Sequence, residues 1–287
     1  MVSIKHLPVK APISEITDEI EKSGAVIVDG FLSEEVVKTF NAEIETALAK
    51  NPSNQAHPNK AVEFFHGTQT RHLTGVAGVS DTFINDVLLH PVFAAIGDHC
   101  LLPNCSEYIL NIAHVLDRGP GAEDQLIHRD HDVWPGKLTS VIGGHVQFAS
   151  LLALSEYTAE MGATRIVPGS HQWPSDREPL PEEIAIAEMQ PGSAAIYLGS
   201  TLHGAGPNRT DKIRRGMHTS FCLGWLRAEE NSCLSVPIER LIRMPRRAQE
   251  LLGFGVHDGI ANGEGFLGAL DNQIPADVLA AASAREG

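Results

Sequence analysis

From Glu107 onward the chain breaks into short apolar runs of strand length, at 108–116, 125–130, 145–154, 163–167, 193–198 and 216–225, separated by Pro/Gly turns such as Gln190-Pro191-Gly192. That rhythm predicts a mainly β protein with flanking helices, built on a jelly-roll (double-stranded β-helix) core. Ahead of it, residues 14–23 and 33–49 read as helices. Ser33 is placed to cap the second, Glu34 and Glu35 suit its first turn, and Val36, Val37, Phe40, Ile44 and Leu48 follow at helical spacing. Between them the glycine-bounded run 24–30 reads as a buried strand. Residues 50–60 read as a polar loop, and 82–100 as a helix that Pro91 splits after His90. Helical character returns over 228–256, with 245–252 opening on a proline.

With 287 residues, 43% of them hydrophobic, the chain can bury the core of one large domain. We divide it into a helical N-terminal layer (about 14–100), a jelly-roll core (about 107–227) and a C-terminal helix and lid segment (228–287). The rim loops of the core are expected at 117–121 and 134–136. The formal charge of −14, from 22 basic and 36 acidic residues, argues against a nucleic-acid surface, which draws its affinity from basic patches. The N-terminus has no apolar signal core and no run reaches the length of a membrane span, so the expectation is a cytoplasmic protein with no membrane partner. Cys100, Cys105, Cys222 and Cys233 form no C-x-x-C pair and are expected to be buried free thiols.

The chemistry concentrates at His128-Arg129-Asp130. Alternate side chains of an extended run share a face, so the imidazole and the carboxylate point into one pocket. A further histidine from a distant strand would complete the two-histidine, one-carboxylate set that holds non-haem Fe(II) and leaves coordination positions open, and the chain offers His203. Arg214, eleven residues after His203, can grip the far carboxylate of a dicarboxylate cosubstrate through two parallel charge-assisted bonds. Its neighbour Arg215 would face the other way on a strand. With 14 histidines in the chain, an H-x-D alone would as readily be a surface pair. The same ligands could also hold another divalent metal for non-oxygenase chemistry. His131, Trp134 and Trp225, near the site in sequence or by strand, are candidate substrate walls. Arg71, in the aromatic and polar stretch 64–73, is another substrate-binding candidate, whereas His145, His171 and His218 read as structural.

The stretches 125–130, 162–171, Pro191-Gly192, His203-Gly204-Ala205-Gly206 with Asn208 and Arg209, Arg214, and 224–227 with 229–231 resemble the phytanoyl-CoA dioxygenase family. They are most similar to its branch that oxidises terpenoid and alkaloid natural products in fungi and bacteria. The resemblance covers roughly residues 15–255 and implies Fe(II) held by His128, Asp130 and His203, with 2-oxoglutarate and O2 as cosubstrates. It selects Arg214 over Arg215 and adds Gln125 and Thr164 as cosubstrate-binding residues. It further implies oxidation of a hydrophobic small molecule by hydroxylation, desaturation or rearrangement, with release of succinate and CO2. C-terminal segments in that branch help cover the active site, in some members across a homodimer. Two features modify the pattern: Met161 stands where the branch commonly has Asn, and the presence of Asp130 disfavours a halogenase by leaving no vacancy for halide. The alternatives are an acyl-CoA 2-hydroxylase of the phytanoyl-CoA type, for which the acidic balance offers no support, and a non-oxygenase metal-binding jelly roll.

Overall fold

The strands sort into two sheets over residues 2–51, 59–139, 141–257 and 265–286, which the computed structural model describes. In chain order the strands are β1 (His6–Pro8), β2 (Ala25–Asp29), β3 (Thr70–Leu73), β4 (Tyr108–Arg118), β5 (Gln147–Ala153), β6 (Thr164–Ile166), β7 (Ala185–Ala187), β8 (Ala194–Leu198), β9 (His203–Ala205) and β10 (Arg214–Leu223). The larger sheet runs β1-β2-β8-β5-β10-β4-β3 and the smaller β7-β6-β9. Apart from the parallel β1–β2 pair, neighbouring strands are antiparallel. This is the double-stranded β-helix.

Helices α1 (Ile13–Ser23), α2 (Glu34–Leu48), α3 (Lys60–His66) and α4 (Pro91–Cys100) flank the sheets. The Ser33 hydroxyl accepts the Val36 N–H at 3.3 Å to start α2. Gly24 ends α1 in the left-handed region, φ +75°, where an added Cβ would also collide with His171 Nδ1 at 2.5 Å. Pro91 is the first residue of α4 after His90, so the interval 82–100 splits where expected. Its first half, Phe83–Leu88, is a π-type turn. Between 228 and 256 the chain forms short helical pieces, Ser232–Ser235, Ile238–Leu241, Arg246–Gln249 and Glu250–Phe254. Most of the polar stretch 50–60 lies outside the described residues.

The larger sheet has two cores because its side chains alternate. Phe148, Leu152, Ile196 and Phe221 pack outward with Ile16, Ile20, Phe40, Ile44 and Phe93 of the helices. Ala149, Leu151, Ala195 and Tyr197 face inward with Ala163, Ile166, Ala185 and Ala187. Alanines dominate the inward set, so the sheets can approach closely there.

Four expectations are corrected. The run 125–130 is extended but forms no ladder: only His128 bridges, to His203, and Asp130 opens a 3-10 turn, Asp130–Val133. Asp117 and Arg118 are not a rim loop but the buried end of β4. Arg214 begins β10 rather than preceding it. Cys233 is exposed, whereas the other three cysteines are buried and free. No helix among the described residues is long and apolar enough to cross a membrane.

The outer face of the β4–β10 pair is held by charge. Asp117, 1% exposed, accepts from Arg71 Nη2 at 2.6 Å and from Arg215 Nε and Nη2 at 2.7 and 2.9 Å. Asp117→Ala would take from partly buried Arg71 its carboxylate partner and leave Arg215 only the carboxylate of Glu45. It is expected to lower unfolding stability by roughly 3–5 kcal/mol, read from the denaturant midpoint. A loss below about 1 kcal/mol would show that water replaces the carboxylate at little cost.

Candidate functional site

β10 and β4 alternate their side chains, and the register places His218 opposite His114, Gly216 opposite Leu116 and Arg214 opposite Arg118. Of these inward positions His114, Leu116, Arg118, Arg214 and His218 line a cavity of about 490 Å³ together with His128, Asp130, His203, Gln125 and Thr164. Arg118, Thr164 and Arg214 form its buried end, at 1–2% exposure, while Val62 and Phe65 of α3 and the exposed Val133 line its open end. Arg215 points to the opposite face, against Asp117, Asn41 and Glu45.

Of the residues singled out in the sequence, the structure brings His128, Asp130 and His203 within 4.8 Å of one another, counted at their ligand atoms. Asp130 Oδ1 lies 3.4 Å from His128 Nε2 and 3.3 Å from His203 Nε2. The other ring nitrogens are committed: His128 Nδ1 faces the Leu126 carbonyl at 2.8 Å, and His203 Nδ1 the Thr201 carbonyl at 3.1 Å. A carbonyl can only accept, so each Nδ1 carries a proton and each Nε2 is left with either a lone pair or a second proton. Two lone pairs and a carboxylate oxygen facing one point require a cation there, a proton or a metal. Backbone carbonyls that fix the tautomer are also how metal-ligating histidines are held. The donor set therefore fits Fe(II).

His218, read from sequence as structural, reaches the site: its Nε2 lies 3.2 Å from Asp130 Oδ2 and so orients the carboxylate. Its spacing of four from Arg214 is the signal that would have placed it on the same face, once the register was known. Burial pushes the Asp130 carboxyl up, but His203 and the bonds from His128, His203 and His218 outweigh it and hold the group well below the ordinary carboxylate range. Burial opposes charge on His203 as well, yet Asp130 outweighs it and the imidazole pKa is raised.

At the buried end Arg214 Nη1 donates to the Tyr157 hydroxyl at 2.6 Å and to the Gly162 carbonyl at 2.9 Å. The same hydroxyl lies 2.8 Å from Thr164 Oγ1. Gly162 sits at φ +82°, and a Cβ there would strike the Gly206 carbonyl at 2.5 Å, so this turn admits only glycine. Gln125 lines the same cavity: its amide oxygen accepts the Ala205 N–H at 2.9 Å, and its amide nitrogen donates to the Phe65 carbonyl at 3.3 Å and to His66 Nδ1 at 3.1 Å. Sequence reasoning missed Tyr157 and Arg118.

Arg71, His131, Trp134 and Trp225 do not line this cavity. Arg71 is drawn to Asp117, and His131 lines a separate cleft with His145 and His171. Trp134 is buried with its indole N–H on the Arg227 carbonyl at 3.0 Å, and Trp225 donates to the Asn104 carbonyl at 3.0 Å. Proximity in sequence misled here because the 3-10 turn at Asp130–Val133 presents Asp132 and Val133, not His131 and Trp134, to the cavity.

A double-stranded β-helix with two imidazoles and a carboxylate in its cavity defines a non-haem iron oxygenase architecture. Comparison with known proteins agrees. Residues 20–216 match the family model for phytanoyl-CoA dioxygenase (PhyH). The chain is 34% identical to the dioxygenase olcK of Penicillium canescens over 254 residues, 88% of this chain and 84% of that one. It is 36% identical to the dioxygenase aneA of Aspergillus aculeatus over 245 residues, 83% and 81% of the two chains. The fold is shared with the epimerase SnoN, solved with Fe3+, alpha ketoglutarate and nogalamycin RO, at a TM-score of 0.58, 21% identity and coverage of 74% of this chain and 84% of that one. The chain belongs to the phytanoyl-CoA dioxygenase family and is an Fe(II)- and 2-oxoglutarate-dependent oxygenase.

The paired shifts have a pH consequence for the metal-free protein. His203, raised above an ordinary pKa of about 6.5, contributes fully below that pH and loses its contribution as pH rises through its raised value. Asp130, depressed below about 3.9, contributes fully above that pH and loses its contribution only as pH falls through its lowered value. The pair is then most stabilising between about pH 4 and 6.5. Metal-free wild type is expected to lose denaturant resistance relative to His203→Gln as pH rises from about 6 to about 9. Parallel curves would mean that His203 is uncharged in the folded protein.

Proposed function

We propose that this oxygenase oxidises a hydrophobic small molecule of the natural-product kind, with His128, Asp130 and His203 as the iron ligands. The observation that carries the reading is one cavity with the three donors in its wall, buried guanidinium at its closed end and apolar side chains at its open end. The natural product in the SnoN complex, and the dioxygenase relatives in fungi, support the substrate class. The second sheet shares the inner core with the first, which supports reading the chain as one domain.

Iron and 2-oxoglutarate, when bound, would activate O2, one oxygen atom going into succinate as CO2 is released and the other serving to oxidise the substrate. The chain's own residues bind and orient. Arg214 takes the distal carboxylate of 2-oxoglutarate, and Tyr157, held by Thr164, fixes the direction of its guanidinium. Gln125 lies beside the cosubstrate and ties the last residues of α3 to β9. The Phe65 ring stands edge-on to His128 at 4.5 Å, shielding the ligand from water. Val62, Phe65, Ile112 and Val133 give the substrate an apolar wall, in place of the substrate residues inferred from sequence. Asp132 and Glu229 in the same lining disfavour a polyphosphate such as coenzyme A.

His128→Ala and His203→Ala are each expected to abolish iron retention and succinate formation while leaving the far-ultraviolet circular dichroism of the folded protein unchanged, because neither side chain belongs to the hydrophobic core. Full iron content and normal turnover in His203→Ala would overturn the ligand assignment. Arg214→Ala should raise the KM for 2-oxoglutarate at least about tenfold, the cost of unpairing a buried carboxylate. Arg215→Ala should leave that KM near its wild-type value and lower stability instead, because its partners are Asp117 and Glu45. The reverse pattern would overturn the anchor assignment.

A further inference from the structure

The strands β4 and β10 set two arginines against each other. Arg214 is paired directly with Arg118 across the antiparallel ladder, where Cβ atoms lie about 4.5–5.5 Å apart and like charges repel. Both side chains line the cavity, and they are only 1% and 2% exposed. Their polar partners are neutral: Arg118 Nη2 donates to the Glu123 carbonyl, and Arg214 Nη1 to Tyr157 and Gly162. The Nε of each is buried without a partner. Among the described residues no carboxylate forms an ion pair with either.

One position along, the same strands show the opposite solution. Arg215 faces Asp117 across the ladder, and on that side the charge is neutralised within the protein. Two buried, facing cations with no carboxylate in contact are costly, and the cost falls when an anion enters between them. Burial, with Arg214 next in weight, already pulls the Arg118 pKa down to about 10. Between this pair and the His114–His218 pair lies Leu116 opposite Gly216, so the cavity continues from the guanidiniums toward Asp130. Arg214 and His218 are four positions apart on the strand, roughly 13 Å at ~3.3 Å per residue, and the arginine stems reach into that gap.

We propose that Arg118 is a second anchor for the distal carboxylate of 2-oxoglutarate, gripping it opposite Arg214. The inference rests on the cosubstrate reading given above and adds a residue to it. Two guanidiniums at the closed end make a charged distal group a condition of tight binding. They also repel each other in the empty site, so the unliganded protein carries a penalty that the cosubstrate relieves.

The test is direct binding by calorimetry to the Mn(II)-loaded protein without oxygen or substrate, which separates the cosubstrate from any carboxylate on the substrate. The ligands are 2-oxoglutarate and 2-oxopentanoate, which lacks the distal carboxylate. Arg118→Met is expected to weaken 2-oxoglutarate at least about tenfold and to leave 2-oxopentanoate within about twofold. The unliganded Arg118→Met protein is expected to melt at or above the wild-type temperature, an outcome that a merely structural arginine would not give. Arg118→Lys keeps the charge but loses the fork, and should bind 2-oxoglutarate several-fold more weakly than wild type should Arg118→Met not fold. Wild-type affinity for 2-oxoglutarate in these Arg118 variants, with Arg214→Met weakened, overturns the inference and leaves the cosubstrate reading standing. Wild-type affinity in Arg214→Met as well overturns both.

Discussion

β10 hydrogen-bonds to β4 on one side and β5 on the other, and its alternation sends each successive side chain to a different world. Arg215 and Met217 go outward, to an ion-pair network and to the helix-packed core. Arg214 and His218 go inward, to the two ends of one cavity. A slip of one residue would exchange these sets, putting Arg215 in the cavity and Arg214 against the helices. Asp117 resists that slip: it pairs with Arg215 and Arg71 only in the observed register, so the charge network on the outer face holds the inner face in place. The separation between a neutralised pair and an unneutralised one, on consecutive residues of the same two strands, is the physical basis of the cavity's appetite for an anion.

Much of this was legible in the chain because local rules decided it. Ser33 and the two acids after it fixed the start of α2, Pro91 fixed the start of α4, and the apolar runs marked β2, β4, β5, β8 and β10. The H-x-D spacing survived although the segment carrying it is not a ladder strand. A single bridge to His203 and the two backbone hydrogen bonds across it, each 2.9 Å, are enough to keep the segment extended where alternation matters. What the sequence did not show depends on which strands meet. His218 touches Asp130, and Arg118 faces Arg214, through pairings between residues about a hundred positions apart. The short strands β1, β7 and β9 carry too few residues for periodicity to mark them. Of the inferred substrate walls, His131 and Trp134 rest on proximity in sequence, and the 3-10 turn presents Asp132 and Val133 to the cavity in their place.

The site's own chemistry is set by hydrogen bonds that never touch the cosubstrate. Carbonyls of Leu126 and Thr201 each hold one imidazole, and each comes from the residue two before the histidine it orients. The direction of both Nε2 lone pairs is therefore written into a local backbone turn, so the donor geometry exists before any ion arrives. At the other end the hydroxyl of Tyr157 serves Arg214 and Thr164 together, and Gly162 offers its carbonyl from a backbone conformation that a side chain could not share. Preorganisation at both ends reduces the ordering that a ligand must impose when it binds.

On the β4–β10 wall the middle of the cavity carries no polar side chain. Gly216 leaves the strand without a side chain between Arg214 and His218, and an added Cβ would meet the Tyr157 ring at 3.1 Å. Opposite it Leu116 supplies an apolar wall. A ligand lying there meets no donor or acceptor from that wall, so its polar contacts come from other elements of the lining, among them Gln125 and Tyr197, and from its two ends. In the proposed reading, specificity for the cosubstrate is separable from specificity for the substrate, which would meet α3 and Val133 at the open end. On the same reading a substitution at Val62 can change what is oxidised, whereas Phe65 packs edge-on against His128 and cannot be changed independently of it.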